Sequence, residues 1–336
     1  MTAEWHNVTE RFHGFIGSLH LSPLEKQRAQ AAASEIVSSL RLRFRPTDHP
    51  APSLLERNQP YARENDSSLI GGHAKGTALS PARLIDMVFV LPRGLRPTIG
   101  NRPEMELILD EMAVALNGKF AARESPSGDW LLVRSFDDVA IRLIPAFRTV
   151  GENLIVGLPQ RKQMWLAMNP AAEDARLRAA DLASGGKATH LIMMLKAWRR
   201  FRKVPISPFA LELMVCEFVL AWTYLRRSLL FYDWMIRDFF FWAVHQVGRE
   251  ILTPVALECV SLGDLWLEEA ERAHILAQNA CVMERENRDA EAIARWCDVF
   301  GPRFSNPAQT LMPPDSPTDI SSHAPSDFLP GIGDRV

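Results

Sequence analysis

Ile70-Gly71-Gly72-His73-Ala74-Lys75-Gly76-Thr77, followed by Leu84-Ile85-Asp86-Met87-Val88-Phe89-Val90-Leu91-Pro92, decides how this chain is read. The second run is nearly all apolar, as expected for a strand covered on both faces. Asp86 is its one charged residue. Gly71 and Gly72 alone would mark only a turn. Next to Gly76-Thr77 and the Asp86 strand they gain weight, because glycine lets backbone N–H groups come close to an anionic group.

Together the two runs resemble the polymerase-β-like nucleotidyltransferase signature: an apolar residue, Gly, then Gly or Ser, a spacer, and an Asp-x-Asp pair leading into a strand. Eleven residues, 73 to 83, form the spacer here, and the two acidic positions hold Leu84 and Asp86. The resemblance implies a Mg²⁺ site. Two ions about 3.5–4 Å apart clamp the attacking and leaving oxygens, and Mg²⁺ prefers carboxylate oxygen in octahedral geometry. Alternate residues of a strand share a face, so Asp-x-Asp sets two carboxylates side by side. Leu84 offers no side-chain oxygen.

The strand Val139-Ala140-Ile141-Arg142-Leu143-Ile144-Pro145-Ala146-Phe147 is similar to the one that supplies the third carboxylate, three residues before the proline. Arg142 occupies that position, and a guanidinium brings positive charge where a cation would bind. Asp137 and Asp138 lie too early to substitute without a register change and read as the turn before the strand. Asp86 thus remains as the single catalytic-type acidic position and the single candidate metal ligand. Arg142 is positioned by sequence to pair with it and replace the metal by a salt bridge.

Further along, Trp165, Asn169-Pro170, Leu195-Lys196-Ala197-Trp198 and Ser207-Pro208-Phe209-Ala210-Leu211-Glu212-Leu213 match helical motifs of oligoadenylate-synthetase-like enzymes. The last stretch to match is Ala294-Arg295-Trp296-Cys297-Asp298-Val299-Phe300-Gly301. Together these features resemble the CD-NTase family, bacterial relatives of cyclic GMP-AMP synthase and oligoadenylate synthetase. The match runs from about residue 10 to 304 in consistent order. It implies an α+β fold, a polymerase-β-like mixed sheet with a C-terminal helical domain. It also implies a nucleotide-binding set of Gly71, Gly72, Lys75, Thr77, Lys196, Ser207 and Phe209. Lys196 would reach the triphosphate, and Ser207 and Phe209 would lie near the base. The bland alternatives are a solvated Lys75, a Lys196 whose stem packs along its helix, and a Phe209 in the core.

Composition sets wider bounds. The 336 residues are 47% apolar and 23% charged, ordinary for a globular protein. A net charge of −2 argues against a globally basic nucleic-acid binder. Arg199-Arg200-Phe201-Arg202-Lys203 is a local basic cluster, which a helix C-terminus explains as well as a phosphate contact does. Cys216, Cys259, Cys281 and Cys297 lack metal-ligand spacing and read as reduced thiols of a cytoplasmic protein. The first residues lack a secretory pattern. The apolar runs at 218–225 and 234–247 fall short of the roughly 20 residues a membrane helix needs.

Helices are expected over 4–18 and 23–44, the second opened by Ser22-Pro23-Leu24-Glu25, with Ile36, Leu40 and Leu42 on its apolar face. A loop follows over 45–66. Strands are expected at 68–70, 84–91, 119–123, 130–136 and 139–147, with a helix at 103–116 closing on Asn117-Gly118. From 157 the pattern reads as helical: 159–181, 187–202, 208–226, 229–248, 264–286 and 288–299. The division is a nucleotidyltransferase core over 1–156, a helical domain over 157–304 and a disordered tail over 305–336, rich in Pro, Ser and Asp.

Three functions fit these residues. The first is a catalytically impaired nucleotidyltransferase-like protein of cyclic-oligonucleotide signalling, acting in anti-phage defence by binding an NTP, another nucleotide, or an effector or regulatory protein, with no metal cofactor. The second is an active cyclic di- or trinucleotide synthase using NTPs and Mg²⁺. The third is a structural adaptor.

Overall fold

The computed structural model describes residues 4–44, 67–82, 84–97, 102–125, 129–135, 139–149, 153–158, 164–224 and 231–306. Two helices, α1 (Glu4–Leu19) and α2 (Pro23–Phe44), lead into a seven-stranded mixed sheet. The expected signal between them operates as a reciprocal cap. Ser22 Oγ accepts the Glu25 N–H at 3.2 Å, and a Glu25 carboxylate oxygen accepts the Ser22 N–H at 2.7 Å.

Strands β1 (Ser67–Ile70), β2 (Leu84–Val90), β3 (Ala121–Glu124), β4 (Leu131–Arg134) and β5 (Ala140–Arg148) follow the expected order. Between β1 and β2 lies the short helix α3 (Gly71–Lys75), and α4 (Arg102–Leu116) crosses before β3. β2 and β5 run parallel side by side at the centre. On its other edge β5 pairs antiparallel with β4 through its first half and with β6 (Leu154–Leu158) through its second. One face of β2 (Ile85, Met87, Phe89) packs with Ile36 and Leu40 of α2 and Leu109 and Met112 of α4. The other face (Val88, Val90) packs with Trp130, Ile144, Ala146 and Val156. The near-continuous apolar run reflects this two-sided burial.

Strand β6 was not among the expected strands, and further expectations are corrected here. The helix expected over 159–181 begins only at Pro170; before it, Met164–Met168 forms strand β7, paired with β6. Met-Trp-Leu-Ala-Met is wholly apolar, and a short apolar run carries no period that separates strand from buried helix. Leu42 is 76% exposed, whereas Ile36 and Leu40 are fully buried. Position 42 is two residues beyond Leu40, which turns it away from the packed stripe of a 3.6-residue helix.

The helical part comprises α5 (Pro170–Ser184), α6 (Lys187–Arg202), α7 (Pro208–Ala221), α8 (Tyr232–Ala243), α9 (Leu267–Arg285) and α10 (Asp289–Phe300). α7 and α8 are shorter than expected. A small hairpin, β8 (Glu250–Leu252) with β9 (Cys259–Ser261), separates α8 from α9 and was not foreseen. α1 packs into this half, with Phe12 and Phe15 against Trp296, Phe300 and Phe304. All four cysteines are free thiols. The loop expected over 45–66, the tail from 307 and Asp137-Asp138 lie outside the described residues. No helix among the described residues is long and apolar enough to cross a membrane.

Candidate functional site

Ile70, the last residue of β1, pairs with Asp86 of β2. The glycine turn therefore starts beside the single carboxylate of β2. Gly71 has φ +63°, the left-handed region that disfavours side chains. Gly72 is constrained by contact: a Cβ there would lie 3.1 Å from the Ala78 backbone. Its carbonyl accepts the N–H groups of Thr77 (2.8 Å) and Ala78 (2.9 Å). Both glycines thus meet a conformational demand of the turn, whatever else they contact.

Parallel pairing sets Asp86 opposite Arg142 and Leu84 opposite Ala140, so Leu84, Asp86 and Arg142 share one face of the sheet. Arg142 Nε lies 3.1 Å from Asp86 Oδ1, with the arginine side chain 5% exposed and the aspartate 19%. The guanidinium also sits over the Trp130 ring, 5.4 Å from its centroid. The contact with Asp86 is a charge contact rather than a directed hydrogen bond, since Arg142 Nε and Nη1 lack a hydrogen-bond partner among the described residues. A divalent cation here would meet one carboxylate, an aliphatic side chain and a fixed positive charge. Among the described residues, that donor set does not fit Mg²⁺.

Lys75, Thr77, Lys196 and Phe209 are brought together, but around two carboxylates unmarked in the sequence reading. Lys75 Nζ lies 3.1 Å from Glu173 Oε2 and 3.0 Å from Glu212 Oε2. Lys196 Nζ lies 2.7 Å from Glu212 Oε1 and donates to Thr77 Oγ1 at 2.8 Å. Thr77, fully buried, donates to Glu212 Oε1 at 3.1 Å. Lys75 also stands over the Phe209 ring, 4.9 Å from its centroid. Two lysines and two glutamates make a closed, nominally neutral group joining α3, α5, α6 and α7.

Burial opposes the charged form of Glu212, but Lys196 and Lys75 outweigh it and hold the carboxyl down to about 2. Burial likewise opposes the Lys75 charge, and Glu212 and Glu173 overcome it and raise the ammonium above its ordinary value. At Glu173 burial wins over Lys75 and pushes the carboxyl up. At Lys196 it wins over Glu212 and pulls the ammonium down. Burial, then Lys196, drives His73 down to about 4, so its imidazole is neutral at physiological pH.

Ser207 caps α7, its Oγ accepting the Ala210 N–H at 3.1 Å, and Asn169 caps α5 by accepting from Ala172 at 2.8 Å. Two arginines of the basic cluster are engaged within the protein. Arg202 forms a two-pronged pair with Glu269 at 2.8 and 3.0 Å, and Arg199 donates to the Ile206 carbonyl. Of the residues that organise the site, Glu173, Glu212 and Trp130 escaped the sequence reading. Glu212 had appeared only as part of a motif. Its role shows once α6 and α7 pack side by side.

No protein-family model matches the chain, and no curated protein matches it in sequence. Solved structures do match. DncV from Vibrio cholerae, in complex with ATP and GTP, superposes with a TM-score of 0.67 at 14% identity, covering 90% of this chain and 97% of that one. The chain carries a CD-NTase-like fold. Escherichia coli CdnC in complex with HORMA-deltaN gives a TM-score of 0.62 at 14% identity, over 88% of this chain and 97% of its own. A STING-associated CdnE c-di-GMP synthase from Capnocytophaga granulosa gives 0.56 at 10% identity, over 84% of each chain. The sheet and its helices are the polymerase-β-like nucleotidyltransferase architecture of these CD-NTases, as the motifs implied.

Proposed function

We propose that this CD-NTase-like protein serves cyclic-oligonucleotide signalling of the anti-phage defence type by binding rather than by catalysis, holding a nucleotide or a protein partner without a metal. The reading rests on the Arg142–Asp86 contact of 3.1 Å. Metal-assisted phosphoryl transfer draws several kcal/mol of barrier lowering from charge stabilisation by the ions, and each 1.4 kcal/mol is tenfold in rate. A site in which the carboxylate is engaged by a guanidinium forgoes that contribution.

Arg142 puts a guanidinium, a group suited to anions, where the ion would stand, but it is matched by Asp86 and buried, so a phosphate reaches it only by displacing that carboxylate. Lys75 and Lys196 are already matched by Glu173 and Glu212, so they add little net charge toward a triphosphate. Calorimetric titration of the purified chain with ATP and GTP, in Mg²⁺ and again in EDTA, tests the proposal. The expected result is an affinity unchanged by chelation. Binding tightened tenfold or more by Mg²⁺ contradicts it, and absence of NTP binding narrows the ligand to a protein partner.

A further inference from the structure

Away from Asp86 and Arg142, the seam between α8 and α9 holds a second group of chemically able side chains. Cys281 and Glu284 are three residues apart on α9 and so project from one face. Asp233 stands in the first turn of α8, packed against α9. One ligand atom from each of the three lies within 4.8 Å of the others. Asp233 is 3% exposed and Glu284 9%, while Cys281 is only partly buried.

A second observation points into this group. Glu284 Oε1 accepts the Trp296 indole N–H at 2.9 Å and faces Arg11 Nη2 at 3.6 Å. Glu284 Oε2 is buried with no hydrogen-bond partner among the described residues. A buried carboxylate oxygen left so carries its desolvation penalty uncompensated. Burial, then the neighbouring Asp233, pushes Glu284 up to about 8. Burial pushes Asp233 up to about 6 against the backbone N–H groups of its helix turn.

We propose that Asp233, Cys281 and Glu284 bind a zinc-type divalent ion that clamps α8 to α9, with water in the remaining position. Zinc accepts thiolate and carboxylate together, at about 2.3 Å and 2.0–2.2 Å, in tetrahedral geometry. Such bonds bring ligand atoms to about 3.5 Å of one another, a closure within reach of side-chain rotation. On binding, the Cys281 S–H and the Glu284 carboxyl, which burial keeps largely protonated at neutral pH, give their protons to solvent as the Zn–S and Zn–O bonds form. Three anionic ligands and one Zn²⁺ leave a single negative charge. Arg11 beside Glu284, and Arg237 near Asp233 and Cys281, are placed to offset it.

The test uses the full chain, stripped with chelator and titrated with Co²⁺. The expected result is a thiolate-to-cobalt charge-transfer band in the near ultraviolet, saturating at one equivalent and displaced by Zn²⁺. The band should be lost in Cys281→Ser, kept in Cys259→Ser, which alters an exposed thiol, and reached in Glu284→Gln only at 10-fold or higher Co²⁺. Absence of the band from the unsubstituted chain in excess Co²⁺ overturns the proposal without reliance on any variant. Persistence of the band in Cys281→Ser also overturns it. The site lies outside the cleft, so either result leaves the functional proposal untouched.

Discussion

Arg142 and Asp86 face each other across the two central parallel strands, Nε to Oδ1 at 3.1 Å, on the sheet face that the sequence resemblance assigns to metal-binding carboxylates. The pair is unequal: the guanidinium is buried, whereas the carboxylate is 19% exposed and keeps some access to water.

That inequality predicts unequal substitution effects. Asp86→Asn leaves a buried guanidinium uncompensated and should destabilise the fold by about 3–5 kcal/mol. Arg142→Met leaves a carboxylate that water still reaches, and it keeps an unbranched side chain on Trp130, so its loss should be smaller. Urea unfolding of both variants checks the order, and equal losses would count against the burial asymmetry.

Metal affinity should be recoverable. Replacing Leu84→Asp and Arg142→Asp together restores three carboxylates on one sheet face and removes the opposing charge. Mn²⁺ titration followed by electron paramagnetic resonance should show tight binding in the double variant and none at the cleft of the parent. A double variant that still ignores Mn²⁺ would show that more than these two positions separates the cleft from an active site.

The buried Lys75–Glu173–Glu212–Lys196 group should govern acid stability. Glu212 is held at about 2 in the fold against an ordinary value of 4.5. A depressed carboxyl stabilises the fold above its unfolded value and loses that contribution as pH falls through the folded one. Glu212 therefore weakens the protein between about pH 4.5 and pH 2. Glu173, shifted upward, acts with the opposite sign. Glu212→Gln should lose about 3–5 kcal/mol at neutral pH by leaving two lysines without it. Its melting temperature should then fall less steeply than that of the parent across the acid window.

Gly71 predicts a conformational penalty separable from binding. With φ at +63°, Gly71→Ala should cost about 1–2 kcal/mol with nucleotide absent. A variant with full stability and lost NTP affinity would place the glycine's role in the ligand contact instead.

How much of this was legible in the sequence follows the range of each signal. Ser22-Pro23-Leu24-Glu25 announced a helix start because a cap is local chemistry, and both reciprocal bonds are present. The strands that carry Asp86 and Arg142 were readable because both match motifs of the resembled family, and the ion pair that reading allowed for is there. Met164–Met168 was misread because an apolar pentapeptide has no usable period, and Leu42 because its apolar character was weighed without its place in the 3.6-residue period, which puts it off the face of Ile36 and Leu40. Glu212 and Glu173 were invisible as partners of Lys75. Contacts 137 and 98 residues apart in sequence leave no trace in spacing.

The most direct measurement is incubation of the purified chain with labelled ATP, GTP, CTP and UTP in Mg²⁺ and in Mn²⁺, with products separated and counted. The account predicts no linear or cyclic oligonucleotide above a protein-free control. Product formed by the parent chain and abolished by Asp86→Ala would contradict it.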